Sequence, residues 1–143
     1  MANTIYNSFK RDLLLALINC QADTIKVMLV GPSYTFDVDA HEKRSDVIAH
    51  EVSGPGYTAG GVALTAKTVT LDLPNNQAVF DADNPVITST TITGAIGAIV
   101  YKARGGAASA DELICYNEFA APASSTSGDF TININVNGVA RVS

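Results

Sequence analysis

Apolar residues recur every three to four positions in one place only. Tyr6, Phe9, Leu13 and Leu17 form a stripe, while Asn7, Ser8, Arg11 and Asp12 fall opposite it. This spacing predicts an amphipathic helix over about 4–19, with Asn3 or Thr4 as its N-cap. Beyond it the period changes to two. Ile25, Val27 and Leu29 alternate with Lys26 and Met28, and Val69, Leu71 and Leu73 alternate with Thr68, Thr70 and Asp72, the pattern of half-buried strands. Pro74-Asn75-Asn76-Gln77 predicts a turn into a hairpin partner over 78–82. The nearly continuous apolar run 95–102 suits a central strand, and 113–119 reads as another. Phe130, Ile132, Ile134 and Val136 alternate with polar residues up to Asn137-Gly138, which predicts a closing hairpin into 139–142. The Gly-, Ala- and Ser-rich stretches 105–110 and 121–128 read as exposed loops.

About seven or eight short strands without βαβ alternation, preceded by one helix, predict a mainly β fold. The expected architecture is an antiparallel β-sandwich or jelly-roll-like domain with an N-terminal α-helix and a short helix in a long loop. The 143 residues suit a single domain, residues 1–143. The helix stripe needs a surface to bury against, either an end of the sandwich or another subunit.

Composition narrows the function. Nine basic against fourteen acidic residues give a formal net charge of −5, which argues against sequence-independent nucleic-acid binding. Cys20 and Cys115 are embedded in apolar sequence, which predicts buried free thiols and a reducing compartment. The apolar run 13–18 is too short to cross a bilayer and carries no small-residue cleavage site, so a soluble protein without membrane contact is expected.

Chemistry-bearing residues concentrate in residues 34–64. Asp37, Asp39, His41, Glu42, Asp46, His50 and Glu51 are metal-ligand types, and Gly54, Gly56, Gly60 and Gly61 offer backbone amides to a ligand. Neither half completes a pattern. A zincin needs two histidines four residues apart to reach one zinc, whereas His50 lies nine residues after His41. An EF-hand needs alternating ligands before a glycine, whereas Asp37 and Asp39 lead into Ala40 and His41. No P-loop lysine follows the glycines, and no Rossmann helix opens after them. A polar helix on a solvated face and a glycine-rich surface loop anchored by Tyr57 account for the segment. No metal, cofactor or catalytic residue is assigned, and a non-enzymatic role is expected.

Several stretches resemble small structural proteins of tailed bacteriophages. They are Asn3-x-x-Tyr6-Asn7-x-Phe9-Lys10, Asp23-Thr24-Ile25-Lys26-Val27, Ser45-Asp46-Val47, and Glu51-Val52-Ser53-Gly54-x-Gly56-Tyr57-Thr58-Ala59-Gly60-Gly61. Downstream, Ala78-Val79-Phe80-Asp81-Ala82-Asp83, Ile99-Val100-Tyr101-Lys102, Leu113-Ile114-Cys115-Tyr116 and Gly138-Val139 with Ser143 continue the likeness. The size and β-rich character resemble capsid decoration, or cement, proteins. That resemblance implies a homo-oligomeric virion protein on the outer surface of the phage head, made in the host bacterial cytoplasm and bridging subunits of the major capsid protein. A neck or tail component is the alternative within the structural class. A carbohydrate-binding adhesion module is disfavoured by the absence of tryptophan. Ile5, Tyr6, Phe9 and Tyr57 are the candidate protein-contact residues; each also has a duller assignment as core or loop anchor.

Overall fold

The computed structural model describes residues 3–143. The chain is mainly β, with two antiparallel sheets and two short helices, and a sandwich-like arrangement fits. The elements are β1 (Asn3–Ile5), α1 (Asn7–Leu14), β2 (Ile25–Val30), α2 (Arg44–Val47), β3 (Val62–Ala63), β4 (Thr68–Asp72), β5 (Gln77–Asp81), β6 (Val86–Lys102), β7 (Leu113–Thr131) and β8 (Ala140–Val142). One sheet has the order β1-β7-β6-β2-β3 and the other β4-β5-β8.

The large sheet is buried on both faces, and β2 shows why. Ile25, Val27 and Leu29 belong to one hydrophobic cluster with Phe9, Phe80 and Ala140, on the side of α1 and the small sheet. Met28 and Val30 belong to a second cluster with Tyr6, Tyr34, Val47 and Tyr116. β2 is therefore not half-buried as its alternation suggests. The segment carrying Tyr34 and α2 forms a second layer over the back of the sheet, as expected of a strand whose apolar residues run nearly unbroken.

The N-terminal helix is shorter than expected. Residues 3–5 pair with β7, Asn3 opposite Asn117 and Ile5 opposite Cys115, and the Tyr6 N–H donates to the Ile114 carbonyl. Extended pairing to an otherwise open strand edge thus takes the first turn. Tyr6 occupies the N-cap position without a side-chain cap, in place of Asn3 or Thr4. The helix stops at Leu14 because Ala16 enters the left-handed region, at φ 57°. Ala16 N–H then bonds the Leu13 carbonyl and Leu17 N–H the Asp12 carbonyl, a Schellman closure with alanine where glycine is usual.

The hairpin of β4 and β5 forms as expected, through a 3₁₀ turn over Leu73–Asn75. Two other expectations fail. Residues 121–128 are strand, because β7 runs on to Thr131 against β6. Hydroxyls make this pairing workable across its register shifts: Thr90 Oγ1 lies 2.7 Å from Ser125 Oγ, and Ser125 Oγ accepts the Ile92 N–H. The Asn137-Gly138 hairpin also does not form. Gly138 N–H closes a turn onto the Asn135 carbonyl, but β8 pairs with β5 rather than with the preceding segment. That segment bonds to the 84–85 turn instead, and Val136 is 95% exposed.

Candidate functional site

Folding draws the acids and histidines of residues 34–51 into internal contacts. Tyr34 is buried at their centre, with ring centroids 5.6 Å from His41, 5.7 Å from His50 and 5.1 Å from Tyr116. Its hydroxyl lies 2.8 Å from that of Tyr6 and 3.3 Å from His41 Nδ1. Burial, with the neighbouring Tyr34, holds the Tyr6 phenol far above its ordinary pKa. Burial pushes the Tyr34 phenol up to about 12. Both hydroxyls therefore stay protonated at neutral pH and act as hydrogen-bonding links.

The carboxylates are local caps and ion-pair partners. Asp37 accepts the N–H groups of Ala40 and Asp39, which hold its pKa below the usual aspartate range. Asp46 accepts those of Glu42 and Lys43 at the start of α2, Asp39 accepts the Asn7 amide, and Glu42 pairs with Arg11 at 3.1 Å. His50 Nδ1 lies 2.9 Å from Ser33 Oγ. Among the described residues, no three His, Cys, Asp or Glu side chains converge on a point where a metal ion would sit.

The glycine loop is equally committed. Glu51 Oε1 accepts the Tyr57 hydroxyl at 2.7 Å and the Gly60 N–H at 2.6 Å, while the Leu29 N–H donates to the Tyr57 oxygen. Tyr101 donates to the Gly60 carbonyl at 2.7 Å. At Gly61, with φ 75°, a Cβ would stand 1.8 Å from the Val27 carbonyl oxygen; at Gly54 it would stand 2.1 Å from that of Thr91. Glycine is thus needed here for close backbone approach to β2 and β6. Of the amides that the sequence offers to a ligand, that of Gly60 is taken by Glu51 and that of Gly61 by the Thr58 carbonyl.

A charged cluster outside any sequence motif lies at the β6–β7 connection, beside Tyr101. Asp111 and Glu112 are both buried; Arg44 pairs with Asp111 at 2.7 Å and Arg104 grips Glu112 at 2.6 Å, with Lys43 3.6 Å away. Burial pushes the Glu112 carboxyl up, but the Arg104 hydrogen bonds and nearby positive charge outweigh it, and its pKa lies below the ordinary value. The Arg44 guanidinium also sits 5.2 Å over the Tyr101 ring. These residues tie α2 to the β6–β7 connection.

Of the four candidate contact residues, Tyr6 and Phe9 lie in the core and Ile5 packs partly buried against it. A fully buried ring has no face left for a partner, so Tyr6 and Phe9 leave the contact surface. Tyr57 is half-buried and pins its own loop. Cys20 and Cys115 are buried free thiols; burial pushes the Cys20 thiol up to about 11.

The free apolar surface lies elsewhere. A groove of about 690 Å³ runs between the end of α1, at Leu13 and Ala16, and the small sheet, at Val69, Ala78 and Val142. Beside it Val69 is 47%, Leu71 73% and Leu73 72% exposed, and Leu14 at the helix end is 89% exposed. The alternation in β4 is visible in the sequence but reads as a half-buried strand. A period of two gives the face of a strand without saying whether anything covers it. No family model matches this chain, and no curated protein or solved structure is significantly similar to it.

Proposed function

We propose that this chain is a non-enzymatic structural protein of a tailed-phage virion, decorating the outside of the capsid and cementing it by bridging major capsid protein subunits. The reading rests on the whole-chain resemblance set out above. One structural observation carries it further: the chemistry-bearing residues of the 34–64 segment are bound into the fold, whereas the large exposed side chains Leu14, Leu71 and Leu73 are apolar. Such a surface suits protein contacts better than turnover of a small substrate.

The mechanism requires no cofactor. A small rigid domain seated across a capsomer boundary adds contacts that must break before the shell can rupture, raising the barrier to capsomer separation. Many copies act together, so each interface can be modest. Rigidity matters, because a compliant domain would stretch before loading its contacts. The Tyr57 and Glu51 fastening of the glycine loop and the Arg104–Glu112 pair are cross-links between elements that suit such a role.

Cosedimentation tests the proposal. Heads lacking the protein are mixed with purified chain in excess, separated from unbound material and heated while DNA release is followed. Saturable binding with release shifted to higher temperature is the expected result. Binding to isolated necks or tails and not to heads overturns the decoration reading in favour of the alternative. Binding to heads without protection removes the cement mechanism.

A further inference from the structure

The small sheet ends in an edge that no strand among the described residues covers. In the order β4-β5-β8, β4 pairs with β5 on one side only, without a register shift over residues 68–72. Val139 N–H donates to the Phe80 carbonyl, so Phe80 turns its backbone groups toward β8, and by alternation Val79 turns its own toward β4. Thr70 stands opposite Val79 and therefore faces inward. The backbone N–H and C=O groups of Val69 and Leu71 consequently point outward and have no partner among the described residues.

We infer that β4 is a self-association edge, through which two copies of this chain pair antiparallel about a two-fold axis at Thr70. The register is fixed by those outward groups. With the axis at Thr70, Val69 of one copy faces Leu71 of the other as a hydrogen-bonded pair, twice by symmetry, and Thr70 faces Thr70 as a non-hydrogen-bonded pair. Thr68 then lies opposite Asp72, hydroxyl to carboxylate, and no like charges face each other. The result is a continuous six-stranded sheet of β8-β5-β4 and its symmetry mate. Val69 and Leu71, on the same face as Ala78 and Phe80 opposite them, meet their counterparts there.

Three observations favour a second copy on this edge over any other edge. Strand edges are usually blunted by Lys, Pro or bulges. Within β4 there is none: Lys67 lies outside the strand and bonds the Asp23 carbonyl, Pro74 lies beyond it, and Asp72 is paired with Arg141 at 3.3 Å. The outer edge of β7 beyond Asn117, by contrast, belongs to a strand whose pairing with β6 shifts register repeatedly, β3 has only two residues, and the edge strands β1 and β8 have three each. The strand is also apolar where it is bare: Val69 is 47% and Leu71 73% exposed, so pairing the edge removes apolar surface from water.

Sedimentation velocity of the purified chain under reducing conditions, from low micromolar to hundreds of micromolar, should show a monomer–dimer equilibrium. Leu71→Pro removes only an outward N–H and Leu71→Lys charges the edge. Either should raise the dissociation constant by about tenfold or more, as expected for two symmetric hydrogen bonds or a repelled edge. Circular dichroism melting confirms that each variant is folded, and the lysine variant stands if the proline variant is not. Thr70→Cys should form an intermolecular disulfide on mild oxidation, since a non-hydrogen-bonded pair brings Cα atoms to ~4.5 Å. Thr68→Cys, set off the axis, should not; Cys20 and Cys115 are buried and do not compete. A monomer at every concentration overturns the inference, as does a dimer that survives both Leu71 variants and leaves Thr70→Cys unlinked. The measurement contains no capsid, so its failure is distinct from failure of the decoration reading.

Discussion

Gly61→Ala should be among the most damaging single-methyl additions in the protein. Gly61 adopts φ 75°, and an added Cβ would lie 1.8 Å from the Val27 carbonyl oxygen and 2.7 Å from its carbon. Two effects combine. An L-residue in the left-handed region loses ~1–2 kcal/mol, and inserting a methyl into packed structure costs ~1–3 kcal/mol. The upper half of the second range applies, because the obstacle is backbone. Relief requires moving the loop away from β2, which carries Val62 opposite Val27 and Ala63 opposite Lys26. The sum is about 3 kcal/mol or more, and at roughly 3–5 °C per kcal/mol for a domain of this size the midpoint falls by about 10 °C or more.

Gly105→Ala supplies the control. Gly105 has φ 80° but no heavy atom within 4 Å of a built Cβ, so it isolates the conformational penalty of ~1–2 kcal/mol. Urea unfolding of both variants and the parent, with m-values compared to confirm a common transition, gives the difference directly. If Gly61→Ala falls within about 0.5 kcal/mol of Gly105→Ala, the close approach contributes nothing measurable and the glycine loop is not held as described.

Phe9→Ala, at a site buried between α1 and the small sheet, should destabilise the isolated chain by about 3–5 kcal/mol in urea titrations; a loss under 1 kcal/mol would return Phe9 to the surface. Glu112 has a folded pKa below its unfolded value, so its contribution is present above the unfolded glutamate pKa near ~4.3 and is lost as pH falls through the lower folded value. Glu112→Gln should therefore cost about 1–3 kcal/mol at neutral pH, discounted for the partial exposure of Arg104, and flatten the acid limb of stability against pH. An acid limb unchanged by the substitution would assign it to other carboxylates.

Where neighbours in sequence are neighbours in space, the fold was legible. The β4–β5 hairpin and the strand cores at 95–102 and 113–119 follow from local turn chemistry and period, and the short helix expected in the long loop is α2. The misreadings arise where distant partners decide. Asn3 or Thr4 reads as the cap of a helix over about 4–19, yet pairing of residues 3–5 with Cys115 to Asn117 wins because β7 otherwise has an unpaired edge there. Residues 121–128 carry loop composition, yet serine and threonine hydroxyls bridge the register shifts. The candidate chemistry at 34–64 was visible as residue types, but its internal partners lie on other elements: Asn7 for Asp39, Arg11 for Glu42 and β2 for Tyr57. The β4 edge carried no signal at all, since an alternating strand reads the same whether covered or bare.

A strand edge can be paired only once, and this links the inferred self-association to the proposed capsid binding. If two copies occupy each other's β4 edges, that edge is closed to the capsid, and a dimer presents two capsid-contacting surfaces held at a fixed separation. Losing the dimer then removes bivalency, which at a high effective concentration is worth ~10²–10⁴ in apparent affinity. Leu71→Lys should therefore weaken binding to heads by a factor in that range, whereas Thr70→Cys locked by its disulfide, with Leu71 kept, should bind as tightly as the parent. Direct docking of the capsid on β4 differs in the second arm: the locked dimer, its edges occupied, loses binding. Head-binding isotherms of the two variants separate the cases. Equal affinity of Leu71→Lys and parent would refute bridging by a dimer, because no cooperation between two engaged copies would then be left to lose.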